Sequence, residues 1–176
     1  EQAMRYYTDN RHPDMKSIAA FRERYAVARE VYFIGVFDTV GALGIPAGFV
    51  GRKVSEWRNE FHDTKLNPLV RHAYRALALD ERREAFSPTF WSLTDDARSD
   101  LSIEQLWFPG SHADIGGGSE SSGLSDTALA WMQARAAGAG LKFRAEPPFA
   151  LGPDALAPVN YADRDWPLPR AERNID

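Results

Sequence analysis

Residues 31–46, VYFIGVFDTVGALGIP, constrain this chain more than any other stretch. Six of the seven residues from Val31 to Phe37 are apolar, mostly β-branched or aromatic, and Gly35 is the exception. A strand covered on both faces reads as a continuous apolar run of this length, not as alternation, so the run predicts a buried strand over 31–37. Asp38 follows at once, then Thr39, Val40, Gly41, Gly44 and Pro46. Open α/β sheets carry their chemistry in the crevice beyond the strand carboxyl ends, which makes Asp38 a candidate site residue. The glycines and Pro46 forbid a regular helix and permit a tight turn. A carboxylate that caps this turn through its side chain accounts for Asp38 equally well.

Upstream, Ile18, Phe21, Tyr25 and Ala28 recur at three and four, which predicts an amphipathic helix over about 14–29 feeding the strand. A short helix is expected around 53–61. From Asn67 and Pro68, a cap and a first-position proline, Leu69, Val70, Ala73, Tyr74, Leu77 and Ala78 give a helical face through to about Leu79. The charged run DERREAFSP, 80–88, and the polar residues 94–102 read as loops. Ile103 to Phe108 predicts a second buried strand, running into PGSHADIGGG at 109–118. A third helix is punctuated by Ser125 as N-cap, Asp126 in the first turn, a Leu124–Leu129 staple, and Gly138 and Gly140 at its end. Six of the eleven prolines fall in 141–176, which predicts an irregular tail anchored through Phe143, Phe149, Tyr161 or Trp166. The expected division is a partial catalytic domain over 1–143 and a Pro-rich tail over 144–176.

Composition narrows the function classes. A net charge of −4 and a pI near 5.6 leave no electrostatic footprint for nucleic acid. With no cysteine, thiol catalysis, disulfides and zinc–thiolate sites are excluded. The longest apolar run falls far short of a membrane span, and no signal peptide is visible. No compartment follows from this, and both the cytoplasm and delivery by a secretion system stay open. The chain opens on Glu1 with a helix close behind, which reads as a piece of something longer.

Two strands each end in a polar, glycine-flanked turn. One delivers Asp38 and the other His112, with Asp114 two residues on. If the strands are parallel, both turns lie on one sheet edge, about 5 Å apart for neighbours or twice that with one strand between. An Asp that reaches a His ring nitrogen is the orienting half of a nucleophile–His–acid relay. No serine sits in G-x-S-x-G: Ser111, Ser119, Ser121 and Ser122 all lack that context.

Taken together, FIGVFDTVGALGIP, FHDTKL, HAYRALALDERREAF with SPTFW, QLWFPGSHADIGGG and LSDTALAWM resemble the successive blocks of one family. It is the widespread family of predicted α/β hydrolases of unknown function that includes the first family of type VI secretion phospholipase effectors. The resemblance covers roughly 31–143. It implies the later portion of an α/β-hydrolase-like fold, a mostly parallel sheet flanked by helices. It further implies an ester hydrolase of the lipase or phospholipase type, with Asp38 as the triad acid, His112 as the base and no cofactor. Family members carry a GFSRG-like nucleophile elbow upstream of FDTVG, which this chain lacks. The serine is therefore expected from a missing N-terminal part of the same domain. The remaining implied partners are a lipid or other ester substrate and peripheral contact with a membrane, with no transmembrane segment and no nucleic acid. His112 is expected on a flexible turn. Asp114 is the alternative acid, or a cap for the Gly116–Gly118 turn; Asp38 is preferred because it alone lies beyond a separate strand end.

Other candidates carry less. His62, Asp63, His112 and Asp114 would make a metal-dependent hydrolase, with His72 a further ligand. His72 is placed at the surface of a helix, no metal-binding spacing exists, and no metal site is assigned. His12 lies in a polar lead-in. Gly41, Gly44 and Gly48 do not form a nucleotide-binding fingerprint. The DERR run at 80–83 reads as a solvated helix end, although it recurs in the family, where ion pairs under the site loops are one role open to it. Phe86, Phe90 and Trp91 are core residues by composition, or line an acyl pocket. A non-enzymatic binding or immunity module on a truncated hydrolase fold is the third reading.

Overall fold

The computed structural model describes residues 20, 23–25, 29–39, 65–83, 86–88, 90–95, 97–146 and 149–161. The chain divides into two compact units, Glu1–Glu30 and Val31–Asp176. In the first, Ala20 and residues 23–25 are helical, and the rest of the expected 14–29 helix lies outside the described residues. The helix expected at 53–61 lies outside them altogether.

The second unit is an α/β fold. Among the described residues it holds one parallel sheet in the order β1-β2-β3. These strands are β1 (Val31–Phe37), β2 (Val70–Ala78) and β3 (Ser102–Phe108). Two helices follow, α1 (His112–Gly116) and α2 (Gly123–Gly138). β1 and β3 fall where their apolar runs predict, but β1 is only half-covered among the described residues, with Val31 and Tyr32 exposed.

The segment expected to be a helix from Pro68 to Leu79 is instead β2, the central strand. Apolar residues at helical spacing carried the expectation, but residues 73–78 are all buried. A strand covered on both faces shows no alternation, and tertiary burial overrides the helix propensity of Ala, Leu and Arg. The capping pair does turn chemistry here. Asn67 accepts the Leu69 N–H on its side chain at 2.9 Å and the Val70 N–H on its carbonyl at 2.9 Å, which bends the chain into β2.

Alanines set the spacing of the layers. Ala76 and Ala78 pack with Phe108, Ile115 and Ala128, joined by Phe37 and Trp131, to form the core beneath the helices. The opposite face of the sheet packs Leu66, Val70 and Ala73 against Ile34, Trp91, Leu101 and Ile103. Gly35, the break in the β1 run, lies where α2 crosses: a Cβ there would stand 2.6 Å from the Met132 sulfur and 2.8 Å from the Phe33 ring.

α2 starts two residues before the position expected. Ser122 precedes it, Ser125 turns its hydroxyl back to the Ser122 carbonyl at 3.0 Å, and Leu124 is buried within the first turn, so no staple forms with Leu129. At the far end Gly140 takes a left-handed φ of +97°. Residues 141–146 and 149–161 are irregular; Phe143, Phe149 and Tyr161 are exposed and anchor nothing, while Trp166 lies outside the described residues.

Candidate active site

Because the three strands are parallel, the turns after β1, β2 and β3 lie on one edge of the sheet. Asp38 ends β1 and is fully buried, with a left-handed φ of +40° that is rare for a residue carrying a side chain. Its backbone N–H donates to the Ala76 carbonyl at 2.7 Å, and its Oδ1 accepts the Ala78 N–H at 2.8 Å. The carboxylate thus leans over the end of β2. Its Oδ2 lies 2.8 Å from His112 Nδ1, and since a carboxylate only accepts, Nδ1 carries the hydrogen. β2 intervenes between the two loops, the wider of the two spacings anticipated.

His112 is the first residue of α1, not part of a flexible turn, and its side chain is 35% exposed. The ring meets Phe86 edge-on, with centroids 4.9 Å apart. Its backbone N–H donates to Glu81 Oε2 at 3.2 Å. Glu81 is 3% exposed and accepts three bonds from Arg83: the N–H at 2.8 Å, Nε at 2.8 Å and Nη2 at 2.6 Å. Burial pushes the Glu81 carboxyl up, but the Arg83 and His112 hydrogen bonds outweigh it and hold the group below its ordinary range. Arg83 in turn stacks 3.9 Å from the centroid of Phe86. Asp80 accepts the Gly110 N–H at 2.7 Å and returns its own N–H to the Gly110 carbonyl at 3.0 Å. So the DERR run is not a solvated helix end: Asp80, Glu81 and Arg83 fasten the β3–α1 turn from below.

Arg75, buried in β2, donates to the Thr39 carbonyl and lies over the Trp91 ring at 5.7 Å. Burial depresses its guanidinium, partly offset by the negative charge of Asp38. Sequence reasoning passed over Arg75, because a charged side chain at helical spacing reads as solvent-facing.

Asp114 does not touch His112. It is 1% exposed and accepts five hydrogen bonds. These come from the Ser111 N–H and hydroxyl, the Ser119 hydroxyl, and the Asn160 N–H and side-chain amide. Burial raises the carboxyl, and the bonds from Asn160 and Ser111 more than reverse that, leaving it below its ordinary range. Asp114 is the capping group at the start of α1, not a cap for the glycine turn that follows.

The candidate serines are engaged elsewhere. Ser111 and Ser119 bond Asp114 and Ser122 bonds Asp126, and among the described residues no serine hydroxyl hydrogen-bonds His112. His72 lies at the start of β2, opposite Phe33 and Ser102, about 20 Å along the strand from the His112 edge. Its ring meets Tyr32 edge-on at 5.1 Å. His12, His62, Asp63, Gly41, Gly44 and Gly48 lie outside the described residues. Among the described residues no cluster of three His, Cys, Asp or Glu side chains could hold a metal. Trp91 is part of the core, whereas Phe90 is exposed and packs edge-on against Trp107 at 5.8 Å.

Comparison with known protein families matches residues 2–135 to a family described as type VI secretion system phospholipase effector, Tle1-like, catalytic domain. No curated protein and no solved structure matches the chain.

Proposed function

The chain belongs to the family of Tle1-like catalytic domains of type VI secretion phospholipase effectors, and from that premise we propose that it supplies the acid and base of a serine acyl hydrolase acting on phospholipid esters. The family implies a lipid substrate, and no described helix is long and apolar enough to cross a membrane.

The single observation behind the mechanism is the 2.8 Å bond between Asp38 Oδ2 and His112 Nδ1. With Nδ1 donating to the carboxylate, Nε2 is left as the basic nitrogen at the half-exposed edge of the ring. In the proposed reaction Nε2 takes the proton of a serine hydroxyl as its oxygen attacks the ester carbonyl. The imidazolium that forms is stabilised by Asp38, which stays ionised. His112 then protonates the leaving alkoxide, releasing the lyso-lipid or glycerol alcohol. A water, deprotonated by the same nitrogen, hydrolyses the acyl-serine. The serine itself comes, in this proposal, from outside residues 1–176, because no G-x-S-x-G lies within them.

Two observations weigh against a metal-dependent hydrolase. His72 stands at the opposite end of β2, and every oxygen of Asp114 is engaged by hydrogen-bond donors.

The test is fatty-acid release from glycerophospholipid vesicles, combined with a serine-reactive phosphonate label. Residues 1–176 alone should release none and take up no label at Ser111 or Ser119. Losing the nucleophile costs on the order of a millionfold in kcat in the subtilisin precedent. Enzyme-like release by residues 1–176, or stoichiometric labelling of either serine, would overturn the proposal.

A further inference from the structure

The helix that carries His112 is a single turn of five residues, too short to hold its own orientation. What fixes it is its cap, and the cap is completed from far downstream. Asn160, 46 residues after Asp114, donates its backbone N–H to Asp114 Oδ2 at 3.0 Å and its side-chain amide to Oδ1 at 2.7 Å. Its carbonyl lies 2.8 Å from the Ser111 hydroxyl. All three polar groups of one residue therefore engage Ser111 and Asp114, the two residues that flank His112 and its neighbour.

We propose that Asn160 is a positioning residue for His112: it pegs the cap of α1 so that the imidazole stays on Asp38. This rests on the acid–base reading of that pair. Asp114 is almost fully buried, and a buried carboxylate has to be met by donors at both oxygens. Asparagine offers two donors at adjacent positions, from its main chain and its amide. An aspartate of the same shape would bring a second carboxylate against the first. The peg is fastened along its own length. The Gly152 N–H donates to Asp126 at 2.9 Å and the Asp154 N–H to the Gly123 carbonyl at 3.0 Å, both in the first turn of α2. The segment thus bridges the starting ends of both helices. It lies beyond residues 2–135, the part matched to the family, so the assignment of Asn160 owes nothing to that match.

The readout is the imidazole Nδ1 proton of His112 in residues 1–176, observed by nitrogen-15 NMR. Bonded to Asp38, it should give a slowly exchanging downfield signal that Asp38→Asn abolishes. Asn160→Ala should speed its exchange by at least about tenfold, the loss expected when a charged acceptor loses a donor, with the amide signals of α2 unchanged. Asn160→Asp should do so more strongly at neutral pH. Should either variant unfold, Asn160→Ser, which keeps the backbone bonds and offers a hydroxyl to Asp114, is measured the same way and should fall between wild type and Asn160→Ala. In the intact phospholipase, Asn160→Ala should lower kcat by about tenfold to a hundredfold and leave KM within twofold. Wild-type exchange in a folded Asn160 variant overturns the proposal. Absence of any Asp38-dependent signal in wild type instead overturns the acid–base reading beneath it.

Discussion

At the scale of single residues, His112 is held at two points by two carboxylates. Asp38 takes the ring and Glu81 takes the backbone N–H. Asp38 reaches its position through a backbone conformation that costs about 1–3 kcal/mol, kept in place by bonds to Ala76 and Ala78. Glu81 matters to the fold as well as to the site. Glu81→Ala leaves Arg83 and the His112 N–H without their acceptor and should destabilise by about 2–3 kcal/mol, read from the urea midpoint. The Glu81 and Asp114 carboxyls both lie below their ordinary range in the folded state. Groups depressed in this way contribute stability above the unfolded carboxyl value of about 4 and lose it as pH falls through their folded values. Thermal melts should therefore be flat near neutrality and drop below about pH 4.5, and Glu81→Gln should remove part of that slope. A melting temperature that rises on acidification would contradict the assignment.

At the scale of elements, the β3–α1 turn is the joint that aims the site. Gly110 sits there with φ +122°, and a Cβ on it would stand 2.6 Å from the Asp114 Cβ. Gly110→Ala should cost about 1–3 kcal/mol and displace His112. Gly138, in the last turn of α2, has open space around it, so Gly138→Ala should stabilise by about 0.5–1 kcal/mol. Opposite signs for the two in urea unfolding test the packing described here. The elements differ in how far the sequence betrays them. β1 and β3 are dense apolar runs bounded by turns, and Trp131 with Met132 between two sets of small residues marks α2. β2 hides because HAYRALALD combines helix-forming residues with helical spacing. Only its place at the centre of the sheet, with both faces covered, makes it a strand.

At the scale of the whole molecule, the site is assembled from the ends of all three strands, and the parts differ in how visible they are beforehand. Asp38 and His112 can be singled out because each follows a buried strand, so parallel pairing alone brings their turns to one edge. Glu81 and Asn160 cannot, since nothing local to DERR or to PVNY says that a buried carboxylate or a buried cap is waiting across the fold. Asp114 shows the same limit from the other side. Beside a histidine in sequence it competes as the acid, yet five donors turn it into a structural anchor. The central claim is that the Asp38–His112 pair performs proton transfer for a serine that lies elsewhere. Its most direct test is phospholipid hydrolysis by the intact protein carrying Asp38→Asn, which preserves the shape of the site and removes the charge. The account predicts a fall in kcat on the order of ten-thousandfold with KM little changed; activity within tenfold of wild type would contradict it.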